Sequence, residues 1–501
     1  MKSKIFGFIT CIFLIGFSII PVTGNIMDIK EIKKQTTSKS EIINYWTEQE
    51  KLFSSDGASG DYFGNSVSID GNYAVVGAYD ENNGTGAAYI FFRIGTNWIE
   101  QQKLTASDGE IGDNFGCSVS IFENLTIVGA KNDEGGIGSA YLFNRSGTKW
   151  IEERKLIASD GETGDYFGSS VSINKKLAIV GAVGDDSYKG SVYAYNYSIT
   201  NVTETIKLEA PDGEIGDHFG CSLFFNGRFA IIGAYEDDGD KGSAYILEHC
   251  CYWKWREKIN TTGGLPYFGW SVSIDGDHAI IGAPGKPDSG STGSVYIFKR
   301  EENNWFEHTH WIGSNNEEYL GMSVSIDGGY AVAGALGNDS NIGMVKTFIR
   351  NGTIWSEEQI LTASDGESGD YFGNSVSINA GYIITGAIGD DENTGSAYIF
   401  MKIGVPDLSI EIIGGFGANI IITNNGENDT KEFDVKVHIT GGIFKRVNKS
   451  YNFTINLLAG ESKRVSTGIF FGLGEVYITA TTDYKEKTVY ALQLLVYTFI
   501  Q

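Results

Sequence analysis

The chain repeats itself. A Phe-Gly pair, or its substitute, falls at Phe63, Phe115, Phe167, Phe219, Phe268, Leu320 and Phe372, at steps of 52, 52, 52, 49, 52 and 52 residues. A Gly-Ala pair follows each one, at Gly77, Gly129, Gly181, Gly233, Gly282, Gly334 and Gly386, with the same steps. A period of this size means one supersecondary unit copied many times, each copy too small to bury its own faces. Every unit holds four strand signals. In the first they are an alternating Ser-Val-Ser-Ile before the turn Asp70-Gly71-Asn72, a buried run at Tyr73–Gly77, the aromatic stretch Ala87–Phe92 and the alternating stretch Trp98–Ala106. No helical period intervenes. Seven four-stranded sheets of this kind imply an all-β fold, a seven-bladed β-propeller. The last unit ends at Tyr398–Met401 with no Trp-x-Glu strand behind it, and that strand stands instead before the first unit, at Trp46–Lys51. The N-terminal strand is therefore expected to complete blade seven, closing the propeller and removing an exposed edge.

The pattern Phe-Gly…Gly-Ala-(Pro), fullest at Phe268-Gly269 and Gly282-Ala283-Pro284, resembles the FG-GAP repeat, whose family includes the seven-bladed head of integrin alpha subunits. The SDGxxGDxFG variant before most units is similar to secreted FG-GAP proteins of prokaryotic type. The resemblance covers residues 41–404 and implies the propeller fold and a binding role. Integrin propellers hold calcium in a DxDxDGxxD loop between strands 1 and 2. The matching turns here, such as Asp275-Gly276, are too short, so those ligands do not carry over.

From Val405 the script changes. Residues 405–501 contain strand signals at Leu408–Ile413, Asn419–Thr423, Phe433–Thr440, Tyr451–Leu458, Val476–Thr481 and Thr488–Thr498, and are loosely similar to an immunoglobulin-like β-sandwich of adhesion type. At the other end, Lys2 and Lys4 precede an apolar run from Ile5 to Ile20 and a small-residue site at Val22-Thr23-Gly24, the layout of a secretory signal over residues 1–24. An uncleaved anchor is the rival reading. Residues 25–40 read as a polar linker. No transmembrane span is expected in the mature chain, and secretion or cell-surface display is the expected localisation. Eleven Asn-x-Ser/Thr sequons, Asn83 and Asn351 among them, fit a glycosylated exported surface. Of five cysteines, Cys117 and Cys221 share a repeat slot and Cys250 and Cys251 are vicinal, which is no disulfide framework.

Formal charge is −25, and removing residues 1–24 with their two lysines leaves −27. A phosphate backbone would be repelled, which excludes nucleic acid as a partner. The acids concentrate in two loop families that an up-and-down blade sends to one face. The loops entering each blade from the preceding one carry sixteen acids, and the loops between strands 2 and 3 carry fifteen, against four lysines. One face is thus expected to hold the whole net charge, and packed carboxylates call for a cation. Calcium, a hard ion with oxygen ligands, is the natural candidate. Its expected ligands are Asp108, Glu110 and Asp113, with Asp160, Glu162, Asp165, Asp212, Glu214, Asp217, Asp365, Glu367 and Asp370 in the equivalent loops. Asp and Gly are also simply good turn residues, which is the plainer account of the same pattern. Units five and six lack this loop, and Tyr267, Trp270, Trp311 and Tyr319 in the gap form a candidate ligand patch, or else aromatic packing between blades.

Chemistry-bearing motifs are scarce. His308 and His310 form one His-x-His on a strand, and the repeated Lys-Leu, Trp and Tyr positions read as core. No nucleophile elbow, HExxH or phosphate loop occurs. The expectation is a non-enzymatic, secreted or surface recognition and adhesion module, taking an extracellular protein or glycan on its acidic face with calcium assistance. The alternatives are a structural envelope or matrix component, and a propeller enzyme acting on carbohydrate.

Overall fold

The computed structural model describes residues 45–175, 177–198, 201–261, 265–286, 291–314, 319–337 and 340–403, and further on 408–413, 419–424, 433–441, 447–457, 461–466, 472–481, 486–495 and 497–500. The expected signal segment 1–24, the linker 25–40 and the boundary residues 404–407 lie outside the described residues.

Each repeat is a four-stranded antiparallel sheet with its strands in chain order. Blade 1 spans residues 67–104, blade 2 115–156, blade 3 167–208, blade 4 223–259, blade 5 271–312 and blade 6 324–361. The seventh sheet takes Phe372–Asn379, Tyr382–Ala387 and Ser396–Ile403 from the last repeat, and its outer strand is Tyr45–Leu52. In that pairing Trp46 faces Lys402 and Leu52 faces Ala397.

The two glycines of the repeat meet across blade boundaries. A Cβ on Gly129 would lie 2.0 Å from the carbonyl oxygen of Gly168, the Phe-Gly glycine of the next blade, which itself sits at φ 91°. Only glycine permits that approach and that backbone angle. Blade 7 meets blade 1 by the same contact, with Gly386 against the Gly64 carbonyl at 1.9 Å. The phenylalanine beside each glycine is buried between blades: Phe115 packs edge-on against Tyr141 at 5.4 Å in a core shared with Val75 and Leu104 of blade 1.

The first strands surround a common cavity of about 310 Å³. Their serines link blade to blade: Ser68 Oγ accepts from the Ile121 amide, Ser120 Oγ from Ile173 and Ser377 Oγ from Ile69, each at 3.2 Å. Phe224 fills the serine slot in blade 4 and has no oxygen to offer Ile274.

The outer strand departs from simple alternation. In all seven blades the pairing of strands 3 and 4 slips by one residue, a β-bulge. Six residues separate Trp98 from Leu104, so an unbroken strand would put both on one face. The bulge at Gln101 sends them to different interfaces. Trp98 packs back on blade 7 against Tyr382, at 6.1 Å, and Leu104 packs forward with Phe115 of blade 2. One strand thereby serves two cores. In blade 5 the bulged residue is His308, and the His-x-His pair divides: His308 Nε2 lies 2.6 Å from the Thr353 carbonyl, while His310 Nδ1 lies 2.9 Å from Glu307.

The C-terminal region holds two antiparallel sheets. One is ordered Leu408–Ile413, Asn419–Asn424, Ser462–Ser466, and the other Val447–Ile455, Phe433–Gly441, Gly472–Thr481, Glu486–Leu495, Tyr497–Ile500. Ser462–Ser466 is additional to the strands read from the sequence.

Candidate functional site

The tyrosine of strand 3 and the lysine of strand 4 are direct cross-strand partners, as Tyr141 and Lys155 show. Both reach into the loops at the end of the blade. Lys155 Nζ lies 2.8 Å from Asp108 and 2.6 Å from Asp133, and the Tyr141 hydroxyl donates to the other Asp108 oxygen at 2.8 Å. Asp108 belongs to the loop entering blade 2, and Asp133 to the loop between its second and third strands. One ammonium therefore ties the two loop families together. The cluster recurs as Lys103 with Asp56, Glu81 and Tyr89, and as Lys207 with Asp160, Asp185 and Tyr193. It appears again as Lys258 with Asp212, Asp237 and Tyr245, and as Lys51 with Asp365, Asp390 and Tyr398. The reading of these Lys and Tyr positions as plain core is corrected here. Their stems are packed, but their polar ends build the loop face.

The electrostatics follow from those bonds. Burial alone would push the Asp108, Asp212 and Asp365 carboxyls up, but the lysine and tyrosine bonds outweigh it and hold them below the usual carboxylate range. For Asp56 and Asp160 the lysine bond is itself the leading cause of the same lowering. Burial would likewise lower the lysines, and their paired carboxylates raise them instead. The buried partner of each pair, such as Asp133 with 4% exposure, has its charge compensated by a cation rather than by water.

The three acids expected to converge on calcium in each loop go to three different places. Asp108, Asp160, Asp212 and Asp365 bind lysine. Asp113, Asp165, Asp217 and Asp370 are buried and cap their own loops, each accepting a backbone N–H three residues back at 2.6 or 2.7 Å. Burial pushes these four carboxyls up, against that bond. Glu110, Glu162, Glu214 and Glu367 are exposed. Among the described residues no group of three or more His, Cys, Asp or Glu is placed to share a metal ion. The expected count of charge on this face also changes, because five lysines drawn from strands sit among the loop carboxylates. Glu317, Glu318, Asp288 and Asp339 lie outside the described residues.

The aromatic patch divides as well. Tyr267 and Trp270 stack at 5.9 Å, with Tyr235 4.8 Å from Trp270. Trp311 turns into the core of blade 6 against Phe348, at 4.3 Å. Tyr319 holds the slot before Leu320 at φ 48°. Tyr235 belongs to a cleft the sequence reading passed over. Residues beside the Phe-Gly and Gly-Ala pairs of blades 1 to 5 line a cleft of about 770 Å³, among them Tyr79, Tyr166, His218, Tyr235 and Trp270. The repeat alignment carries a signal for it: the residue before each Phe-Gly pair is Tyr in five units, His218 in another and Asn114 in the last.

Seven four-stranded sheets ringed about an axis, with both loop families joined on one face, define a β-propeller of the repeat-built class. A family model described as FG-GAP repeat matches residues 46–91, 98–143, 150–195, 202–247, 265–298 and 355–400, over half of the chain. The protein belongs to the FG-GAP repeat family. The matched ranges pass over residues 299–354, where blade 6 nonetheless forms a full sheet with Leu320 in the phenylalanine slot. No curated protein matches the chain. Among solved structures, a chain titled "Crystal Structure of Mitotic Checkpoint Complex" aligns at 13% identity over 76% of this chain and 98% of that one, with a TM-score of 0.47, a likeness too low to bear on function.

Proposed function

We propose that this protein is a non-enzymatic recognition and adhesion module, secreted or held at the cell surface, that takes an extracellular protein or glycan on the loop face of its propeller. The observation that carries the reading is the fivefold Lys-Asp-Tyr cluster. It ties the two loop families together in five blades before any partner arrives, which lowers the ordering cost of binding. Beyond the fixed layer, exposed Glu110, Glu134, Glu162, Asp186 and Asp391 leave an acidic rim that favours basic or neutral partners. The two thiols on this face are poor reagents. Burial pushes the Cys221 thiol up to about 11 and raises that of Cys117, so both stay protonated near neutrality. The lowered aspartates are fixed in ion pairs. Export is supported by the Lys2, Lys4 and Ile5–Ile20 layout, and no helix among the described residues is long and apolar enough to cross a membrane.

Calcium assistance is not needed to neutralise the five clusters, since lysine does so. The test is a screen of extracellular proteins and glycans with and without chelator, repeated on a Glu134→Lys/Asp186→Lys variant. A partner whose binding survives chelation and falls at least tenfold in the variant supports the reading. Binding that requires calcium would restore the metal to the mechanism. A partner indifferent to these substitutions would move the site off this face.

A further inference from the structure

Five rings of the cleft follow one another across three blades. Tyr166 lies 6.4 Å from Tyr188, Tyr188 lies 5.1 Å from His218, His218 lies 4.8 Å from Tyr235, and Tyr235 lies 4.8 Å from Trp270. None is fully buried, and Tyr188 is 43% exposed. Three of them occupy backbone positions that disfavour bulky side chains: Tyr166 at φ 54°, Tyr188 at 68° and His218 at 60°. Left-handed φ is unfavourable for a residue that carries a Cβ, and Asn114 holds the equivalent slot of blade 2 at φ 57°. The slot before Phe-Gly is left-handed in all seven repeats, Tyr62, Tyr267, Tyr319 and Tyr371 included, so that backbone angle belongs to the repeat, and what is particular to blades 3 to 5 is the run of half-exposed rings.

Beyond the rings, blades 1 and 2 supply the amides of Asn65, Asn114 and Asn132 to the lining, with Lys131 beside them, and blade 3 supplies Ser169. Asn65 Nδ2 donates to the Cys117 carbonyl at 3.0 Å, Asn114 Nδ2 to the Tyr79 carbonyl at 3.2 Å, and Asn132 Nδ2 to Asn114 Oδ1 at 2.5 Å. Nδ1 of His218 faces two acceptors, the Gly216 carbonyl at 2.7 Å and Glu236 at 3.2 Å, so it carries the proton. The volume falls within the roughly 300–1,000 Å³ of small-ligand sites. Flat rings with fixed amides suit a ligand that is apolar on its faces and rich in hydroxyls at its edges. The acidic rim repels polyanions.

Resting on the recognition role proposed above, we infer that this cleft binds a neutral oligosaccharide, whose sugar rings stack on the Tyr188–His218–Tyr235–Trp270 arc while its hydroxyls meet the Asn65, Asn114 and Asn132 amides. The alternative occupant of an aromatic cleft, a proline-rich peptide, prefers a straight groove between parallel ridges rather than an arc around a mouth.

Titration of the full chain with neutral oligosaccharides (β-glucan, mannan and chitin fragments), polygalacturonate fragments and proline-rich peptides, followed by calorimetry, tests the inference. At least one neutral series is expected to bind, polygalacturonate at least tenfold more weakly, and Trp270→Ala to lose tenfold or more. Tyr188→Ala, at an exposed position that leaves the core intact, should lose at least threefold and guards against a folding artefact in Trp270→Ala. Neutral binding unchanged in both variants overturns the inference. So does binding of peptide alone; if that binding is abolished by Glu134→Lys/Asp186→Lys, the recognition role survives and only the ligand class fails. Absence of binding by every probe here and in the broader protein and glycan screen overturns both.

Discussion

Blades 2 and 6 share four strands, the bulged outer pair and the glycine contact, yet their loop ends differ. In blade 2, Tyr141 and Lys155 face each other and reach Asp108 and Asp133. In blade 6 the same two slots hold Lys346 and Ile360, so the cation has moved one strand inward, and the sequence entering the blade before Leu320 carries no aspartate. Blade 5 is intermediate, with Tyr296 opposite His310. The difference separates two jobs that the repeat combines. Glycines, Phe-Gly residues and the outer-strand Trp build the ring and persist in every blade or nearly so. The Lys-Asp-Tyr cluster builds only the loop face, and it is absent where the sequence entering the blade carries no aspartate. A salt bridge of this kind is weak evidence for added stability and better evidence for fixed geometry.

The largest expected effect tests the ring-building half of that comparison. Trp46 is 2% exposed, its indole N–H donates to Glu358 at 2.9 Å, and it covers the buried Lys402–Glu358 pair. Trp46→Ala should cost about 3–5 kcal/mol of unfolding free energy in urea. Its exposed neighbour Tyr45 should cost under about 0.5 kcal/mol on truncation. Equal losses would mean the N-terminal strand is not a core element of blade 7.

Lys155→Met against His310→Met sharpens the contrast between clustered and unclustered blades. The first leaves Asp133 buried and uncompensated, and should cost about 1–3 kcal/mol, reduced from the fully buried case because Lys155 is 24% exposed. The second removes a 46% exposed ring and should cost under about 0.5 kcal/mol. Similar melting points for the two variants would erase the distinction.

The smallest effects lie within one loop and have opposite signs. Asp165 has its carboxyl pushed up by burial, so its folded form favours the proton; its contribution is present at low pH and lost as pH rises through the folded value. Asp165→Asn should therefore raise stability at pH 7 by up to about 1 kcal/mol, an advantage that fades on acidification. Asp160 is held low by Lys207, so its contribution is present above about pH 4 and lost as pH falls. Asp160→Asn should lower stability at pH 7 by about 0.2–1 kcal/mol, the range for a solvent-screened pair. Thermal melts at pH 4 and pH 7 check both. Shifts of the same sign would show that the two aspartates do not differ as described.

Much of the fold is legible along the chain. Five steps of 52 residues and one of 49 place every blade, and the four strand signals per unit become four strands. The two glycines of the motif read as punctuation in the sequence and prove to be a contact between neighbours. The outer strand is less legible. Trp98 and Leu104 look like one apolar face, and only the slip at Gln101 sends them to separate interfaces. The candidate site is the least legible part. Lys155 stands 47 residues from Asp108, on a different element, and nothing in its local alternation says that its ammonium reaches the loops.

The amino-acid order by itself determined the repeat number, the β character and the slots where acids, aromatics and glycines recur, because these depend on local pattern and period. Which carboxylates remain charged and open to a partner was decided by the folded arrangement. Coulomb energy depends on distance in space, and the ring brings strand lysines within 3 Å of loop aspartates that the chain keeps far apart. The same closeness gathers side chains from five blades into one cleft, a neighbourhood that exists only once the blades are assembled.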